Sequence, residues 1–206
     1  DLLSHAVDLG HMLLGPITRV MGTTATFIGE RPVPQPGRAS HYGRGAPEDP
    51  RTPVTNEDYA AMLCEFAGGA RGTFEASRTI VGPESQMAFD VYGTRGAVGW
   101  SLEALNELRV YRATTDRGSG YTTVLGGDRF SHHGAFVPGA GNPIGFEDLV
   151  TIEDYEFCRA IAEGEPFAPG FAEALAWAEV QAALLRSADS GAWETVGPLD
   201  AGETAP

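Results

Sequence analysis

The 206-residue sequence contains no lysine, so all 14 of its basic residues are arginine. Schiff-base chemistry, and any step in which an ammonium side chain donates a proton, is thereby excluded from the chain itself. Positive charge is scarce altogether, because 28 acidic residues set the formal charge at −14. A surface of that sign repels phosphate backbones and anionic headgroups, so neither nucleic acid nor a membrane is an expected partner. No apolar run approaches the ~18 residues of a membrane span. Cysteine is limited to Cys64 and Cys158, neither in a Cys-x-x-Cys or Cys/His spacing. A disulfide framework is excluded, and two isolated thiols suit a reducing, cytoplasmic compartment. The sequence has no initiator Met, basic n-region or secretory h-region ahead of its first helical pattern. Export is therefore not expected, and the chain is expected to be the back part of something longer.

Hydrophobic residues make up 42% of the chain, ample for a core at this length. Residues 2–14 read as an amphipathic helix with Leu2, Ala6, Leu9 and Leu13 as its apolar stripe, stopped by Gly15-Pro16. From Ile17 to Glu30 the β-branched and alternating pattern predicts a strand with an irregularity at Gly22. Arg31 to Pro53 carries six prolines and reads as a long surface loop without a regular element. Short strands then succeed one another at 59–66, 71–81, 86–92, 97–102, 107–111 and 121–125, with Gly68-Gly69 and Gly93-Thr94-Arg95-Gly96 as hairpin turns. No crossover-length helix separates them, so the sheet is antiparallel rather than doubly wound. Two helices follow, 147–163 and 171–190. The second presents Ala176, Val180, Ala183, Leu184 and Ser187 on a small-residue face, whereas in the first Glu153 and Glu156 interrupt the arc of Leu149, Ile152, Phe157 and Ile161.

These patterns predict an α+β fold across residues 1–196: an open, mainly antiparallel sheet with three helices on one face, a last short strand at 193–196, and a frayed tail over 197–206. On the strand 59–66 both parities are apolar, Tyr59, Ala61 and Leu63 on one and Met62, Cys64 and Phe66 on the other. The second face is therefore expected to meet another subunit of a homo-oligomer.

On the first helix Asp1, His5, Asp8 and Met12 are separated by four, three and four positions and share one face. A carboxylate beside an imidazole fixes its tautomer and raises its basicity, which suits a general base near neutral pH; a solvated acidic face is the other reading of the same spacing. His132 and His133 stand together in a Gly/Pro loop, as ligands, substrate contacts or solvated loop residues. Arg78, at the end of an alternating strand, suits a carboxylate partner or an interface ion pair. His11 and His41 read as surface residues. A metal site through Asp1, His5 and His132 is a weaker arrangement, and no metal is expected.

The order of residues adds to this. Asp1-Leu2-Leu3-Ser4-His5-Ala6-Val7-Asp8, followed by Met12-Leu13-Leu14-Gly15-Pro16-Ile17, resembles the D-x-G-x-H-x-x-D signature of the Gfo/Idh/MocA oxidoreductases, the glucose-fructose oxidoreductase and inositol dehydrogenase family. Phe89 to Ala97 is similar to that family's "y-G-t-k-G" hairpin, and Glu156 to Pro166 continues the likeness. Leu3 stands where the family usually has glycine. The resemblance implies the C-terminal half of a two-domain enzyme, related in fold to the dihydrodipicolinate reductase C-terminal domain. NAD or NADP would be bound by an N-terminal Rossmann domain that this chain does not contain. It further implies a cyclitol, sugar or polyol substrate, Asp1 as the carboxylate that binds a substrate hydroxyl, and His5 as the acid or base. Asn142 and Glu147 fall where a loop of the family approaches the substrate. A non-catalytic ligand-binding or dimerisation module is the alternative. The chain contains no dinucleotide fingerprint and no cation for a developing alkoxide, so on its own it is expected to be inactive.

Overall fold

A computed structural model of the chain describes residues 2–33, 45–113, 119–136 and 139–198. They divide into two compact units, one formed by the described residues up to Val81 together with those from Pro169 on, the other by the described residues between Gly82 and Ala168.

In the first unit, helix α1 (Leu2–Leu14) leads into strand β1 (Ile17–Ala25), a short ribbon of β2 (Glu30–Pro32) and β3 (Arg51–Pro53), and then the hairpin β4 (Tyr59–Phe66) and β5 (Arg71–Ser77). The sheet runs β10-β1-β4-β5 and is antiparallel throughout, with β10 (Glu194–Thr195) returning from the C-terminal end of the unit. Gly69, at a φ of 87°, makes the β4–β5 turn. The proline-rich stretch is thus not wholly irregular, because its two ends pair as β2 and β3. Asp58 holds the base of this ribbon. Its buried carboxylate accepts the Phe27 and Ile28 amides at 2.9 and 2.7 Å and the Arg31 guanidinium at 2.6 Å.

The core lies between this sheet and helices α1 and α4 (Phe171–Ser190). Met62, Cys64 and Phe66 face the helices and are buried, while Leu63 on the other parity is 50% exposed. On α1 the buried residues are Leu3, Val7 and Gly10, not the expected stripe; Leu2 and Leu13 are exposed. The helix is apolar on nearly all sides, and the sheet selects the face that carries Gly10, since a Cβ there would stand 2.7 Å from Phe74 Cζ. The expected irregularity of β1 also lies elsewhere. The register shifts between Ile17 and Arg19, and Gly22 pairs regularly with Met62. Gly22 is required for a different reason: a Cβ at that position would lie 2.8 Å from Leu184 Cγ, so its absence admits α4 onto the strand. Ser187 of α4 completes the contact, accepting the Gly22 N–H at 2.9 Å and donating to the Ala192 carbonyl at 2.5 Å.

The second unit carries its own antiparallel sheet, β6 (Ala88–Gly93), β7 (Gly96–Ser101), β8 (Glu107–Arg112) and β9 (Tyr121–Leu125), in chain order. Each unit thus has its own four-stranded antiparallel sheet, the first with the β2–β3 ribbon beside it, and within the first unit α1 and α4 pack on the sheet. Across the second sheet an Asp90–Arg109 ion pair of 2.8 Å spans Gly99, where any side chain would collide with it. The short helix α2 (His133–Phe136) and the long α3 (Phe146–Glu163) follow. Of the arc expected on α3, Leu149 and Ile152 are half-buried, while Phe157 and Ile161 are exposed. No helix among the described residues is long and apolar enough to cross a membrane.

Two outcomes test this packing. Ser187→Ala leaves the Gly22 amide without its acceptor and is predicted to lower unfolding free energy by about 1–3 kcal/mol in urea melts. Burial pushes the Cys64 thiol up to about 11, and Cys158 is exposed. A maleimide at neutral pH is expected to label Cys158 alone, with Cys64 reacting only after denaturation, as read by peptide mass spectrometry.

Candidate functional site

Helix α1 presents His5 to solvent because Leu3 and Val7, two positions to either side, are buried; a step of two residues turns a helix by about 200°. Asp1 lies outside the described residues, as does His41. Asp8 is half-buried, and among the described residues no hydrogen bond or ion pair links it to His5. The expected carboxylate–imidazole couple through Asp8 is therefore not formed. The field of Asp8 falls instead on His11, one helical turn along. His11 is not the surface residue its position in the pattern implies. Its Nε2 accepts the Ile17 amide at 3.3 Å, which fixes a neutral ring at the α1–β1 corner. Burial lowers its pKa, and Asp8 offsets this only in part.

Beside the N-terminal end of α1 a cavity of about 360 Å³ opens, with Leu2, Leu3, Tyr59, Arg78, Gln181 and Leu185 among its lining residues. Arg78 is exposed at its rim, and its main-chain N–H donates to the Asp58 carbonyl at 2.9 Å. No sequence pattern marked Gln181, a buried polar residue on an otherwise apolar stretch of α4.

In the second unit His132 and His133 have separate partners. His132 adopts a left-handed φ of 67°, and its Nε2 stands 3.2 Å from Glu156 of α3. Glu156 also takes two hydrogen bonds from Arg159, at 2.6 and 2.9 Å, which accounts for an acidic residue inside an apolar arc. The Nδ1 of His133 accepts the Gly127 amide at 3.1 Å, so the proton of the neutral ring sits on Nε2. Asn142 and Glu147 are both exposed; Asn142 donates to the Gly139 carbonyl at 3.3 Å, and Glu147 occupies the first turn of α3. Among the described residues no three His, Cys, Asp or Glu side chains are grouped to hold a metal ion.

The starts of α3 and α4 do not suit a dinucleotide. The amide at the start of α3, Gly145, is taken by Asp148 at 2.7 Å, and that at the start of α4, Gly170, by Glu173 at 2.7 Å. Each places a carboxylate where a pyrophosphate needs bare N–H groups.

A family model described as the GFO/IDH/MocA C-terminal domain matches residues 1–99, the stretch that holds α1, the first sheet's hairpin and the β6–β7 turn. Residues 1–99 thus match the C-terminal domain of the Gfo/Idh/MocA oxidoreductases. Among its relatives is a levoglucosan dehydrogenase of Pseudarthrobacter phenanthrenivorans, 33% identical over 205 residues, which cover 98% of this chain and 52% of that protein. A levoglucosan dehydrogenase solved with NADH and L-sorbose superimposes with a TM-score of 0.84 at 29% identity, over 96% of this chain and 50% of that one. An oxidoreductase domain protein from Kribbella flavida gives 0.81 at 32% identity, over 96% and 50%. The chain spans about half the length of the curated relative it matches. Leu3, where the Gfo/Idh/MocA pattern usually has glycine, is a core residue of α1, 6% exposed.

His11 provides a test of the local electrostatics. Its folded pKa lies below the unfolded value, so the unfolded chain binds more protons between the two and stability falls as pH drops below about 6.5. Thermal melts are expected to show that fall in the wild type and a shallower one in His11→Gln.

Proposed function

We propose that residues 1–196 form the substrate-binding and oligomerisation part of an NAD(P)-dependent oxidoreductase that interconverts a secondary alcohol and a ketone on a sugar, cyclitol or related polyol. The observation that carries the reading is the exposed His5 on a helix anchored by Leu3 and Val7, in a chain whose relative is a levoglucosan dehydrogenase. Oxidising the alcohol releases a proton and a hydride. We assign the proton to His5, with Asp1 binding the substrate hydroxyl, and the hydride to a nicotinamide held outside this chain. His5 is exposed, which makes its imidazole accessible for that exchange. The carboxylates at the α3 and α4 N-termini support locating the dinucleotide elsewhere.

Asn142 and Glu147 are proposed as substrate contacts from the second unit, both being exposed at the loop that enters α3. His132, His133 and Arg78 are weaker assignments of the same kind, and the ion pair of His132 with Glu156 favours a structural part for that residue. The exposed Met21 and Leu63 on the helix-free face of the first sheet support a homo-oligomer through that surface. The unpaired thiols fit a cytoplasmic protein.

In the full-length enzyme His5→Asn is predicted to lower kcat by about 10²–10⁴-fold, with the KM of the polyol little changed. Equal kcat in the variant and the wild type would remove His5 from the reaction. The 206-residue chain by itself is expected to show no saturable NADH or NADPH fluorescence change; micromolar binding would place the dinucleotide site here and overturn the assignment.

A further inference from the structure

The loop entering α3 has one buried residue among 139–145, Ile144, and its main chain is held by a side chain from the far end of the β7–β8 connection. Asn106 Nδ2 donates to the Ile144 carbonyl at 2.8 Å, and the Ile144 amide donates to Asn106 Oδ1 at 3.1 Å. The amide side chain thus does for Ile144 what a neighbouring strand does for a sheet residue, satisfying both of its backbone groups. The main chain of Asn106 is engaged as well, since its carbonyl accepts the Gly126 amide at 2.7 Å where β9 ends. The next amide, that of Gly127, donates to His133 Nδ1. A Cβ on Gly126 would stand 3.0 Å from both Asn106 Oδ1 and His133 Cε1, so the three groups meet at one closely packed point.

We infer that Asn106 is a positioning residue for substrate binding: its side-chain amide fixes Ile144, and through Ile144 it sets Asn142 and Glu147, two residues before and three residues after. The inference rests on the reading above of Asn142 and Glu147 as substrate contacts. An amide is required for this, because only a group with one donor and one acceptor matches a backbone C=O and N–H together. Aspartate keeps the shape and the acceptor but turns a second oxygen toward the Ile144 carbonyl. The residue touches no reacting atom, so its loss acts on how well the substrate is held and not on the proton transfer.

The test compares Asn106→Asp, Asn142→Ala and the double variant in the full-length enzyme, with levoglucosan and L-sorbose as probes. Asn106→Asp is expected to raise KM by about tenfold, the equivalent of roughly one lost hydrogen bond, with kcat within about twofold. The double variant is expected to be no worse than the stronger single one. If Asn142→Ala raises KM and Asn106→Asp lowers only the melting temperature, Asn106 is structural and the inference falls while the reading of the loop stands. If neither variant moves KM, the loop does not touch substrate, and reading and inference fall together. Should Asn106→Asp not melt cooperatively, Gly126→Ala replaces it. Its methyl group presses on the Asn106 amide from outside, and the same KM rise is expected; an unchanged KM overturns the inference.

Discussion

Helix α4 can lie on β1 only because position 22 has no side chain. The Leu184 side chain and main chain occupy the space a Cβ would need, and Ser187 takes the Gly22 amide that the approach brings within reach. With α4 seated, Val180, Ala183 and Leu184 bury against Val20, Met62 and Cys64, and α1 closes the remaining groove over Phe74 through a second glycine, Gly10. The exposure of His5 is a consequence of this packing. The sheet draws in Leu3 and Val7, and the pitch of the helix then turns His5 outward. A change in the depth at which α4 sits would rotate or shift α1, so the position of the proposed acid–base group is set by a contact made on another helix.

The acid excess has a structural use. Asp49, Asp58, Glu103, Asp148 and Glu173 each accept one or two main-chain amides, at the ribbon, at the turn before β6 and at the starts of α3 and α4. Those hydrogen bonds hold the carboxyls of Asp58, Glu103 and Glu173 below the ordinary carboxylate range, with the backbone bond the leading cause in each. Such groups stabilise the fold while ionised and lose that contribution as pH falls through their folded values. The same arrangement occupies the starts of α3 and α4 with negative charge, so neither of these two helix ends offers its first amides to a phosphate.

Periodicity was sufficient to locate the elements but not always the face they bury. The bounds of α1, β4, β9 and α4 agree with those read from the sequence, because a glycine directly follows α1, β9 and α4 and the Gly68-Gly69 turn lies one residue beyond β4. On α1 the pattern was ambiguous, since Leu2, Leu3, Ala6, Val7, Leu9 and Leu13 populate two overlapping stripes. Which stripe is buried depended on Gly10, a residue that adds nothing to a hydrophobic pattern and acts only through the space it leaves for Phe74. Gly22 is a parallel case: the pattern reads it as a break in its own strand, whereas it is the point of contact with α4. On the site side, the helix face that carries His5 was legible from spacing. Asn106 was not: it is a single amide in a turn, and its importance comes from Ile144, 38 residues away.

Leu3 shows how a departure from a family pattern is absorbed. A glycine at the third position of a helix-entry segment permits a tight approach of backbone, and a leucine there has to find its own cavity. Here it does so within the core, beside Val7 and within reach of the α4 residues, and is 6% exposed. The substitution exchanges backbone freedom for a buried apolar anchor at the first turn of α1, the turn that also carries His5. A first helical turn is ordinarily the part of a helix most prone to fray. Anchoring it through Leu3 restricts the orientations open to His5, so the leucine, which departs from the sequence signature, reinforces the arrangement that the signature implies.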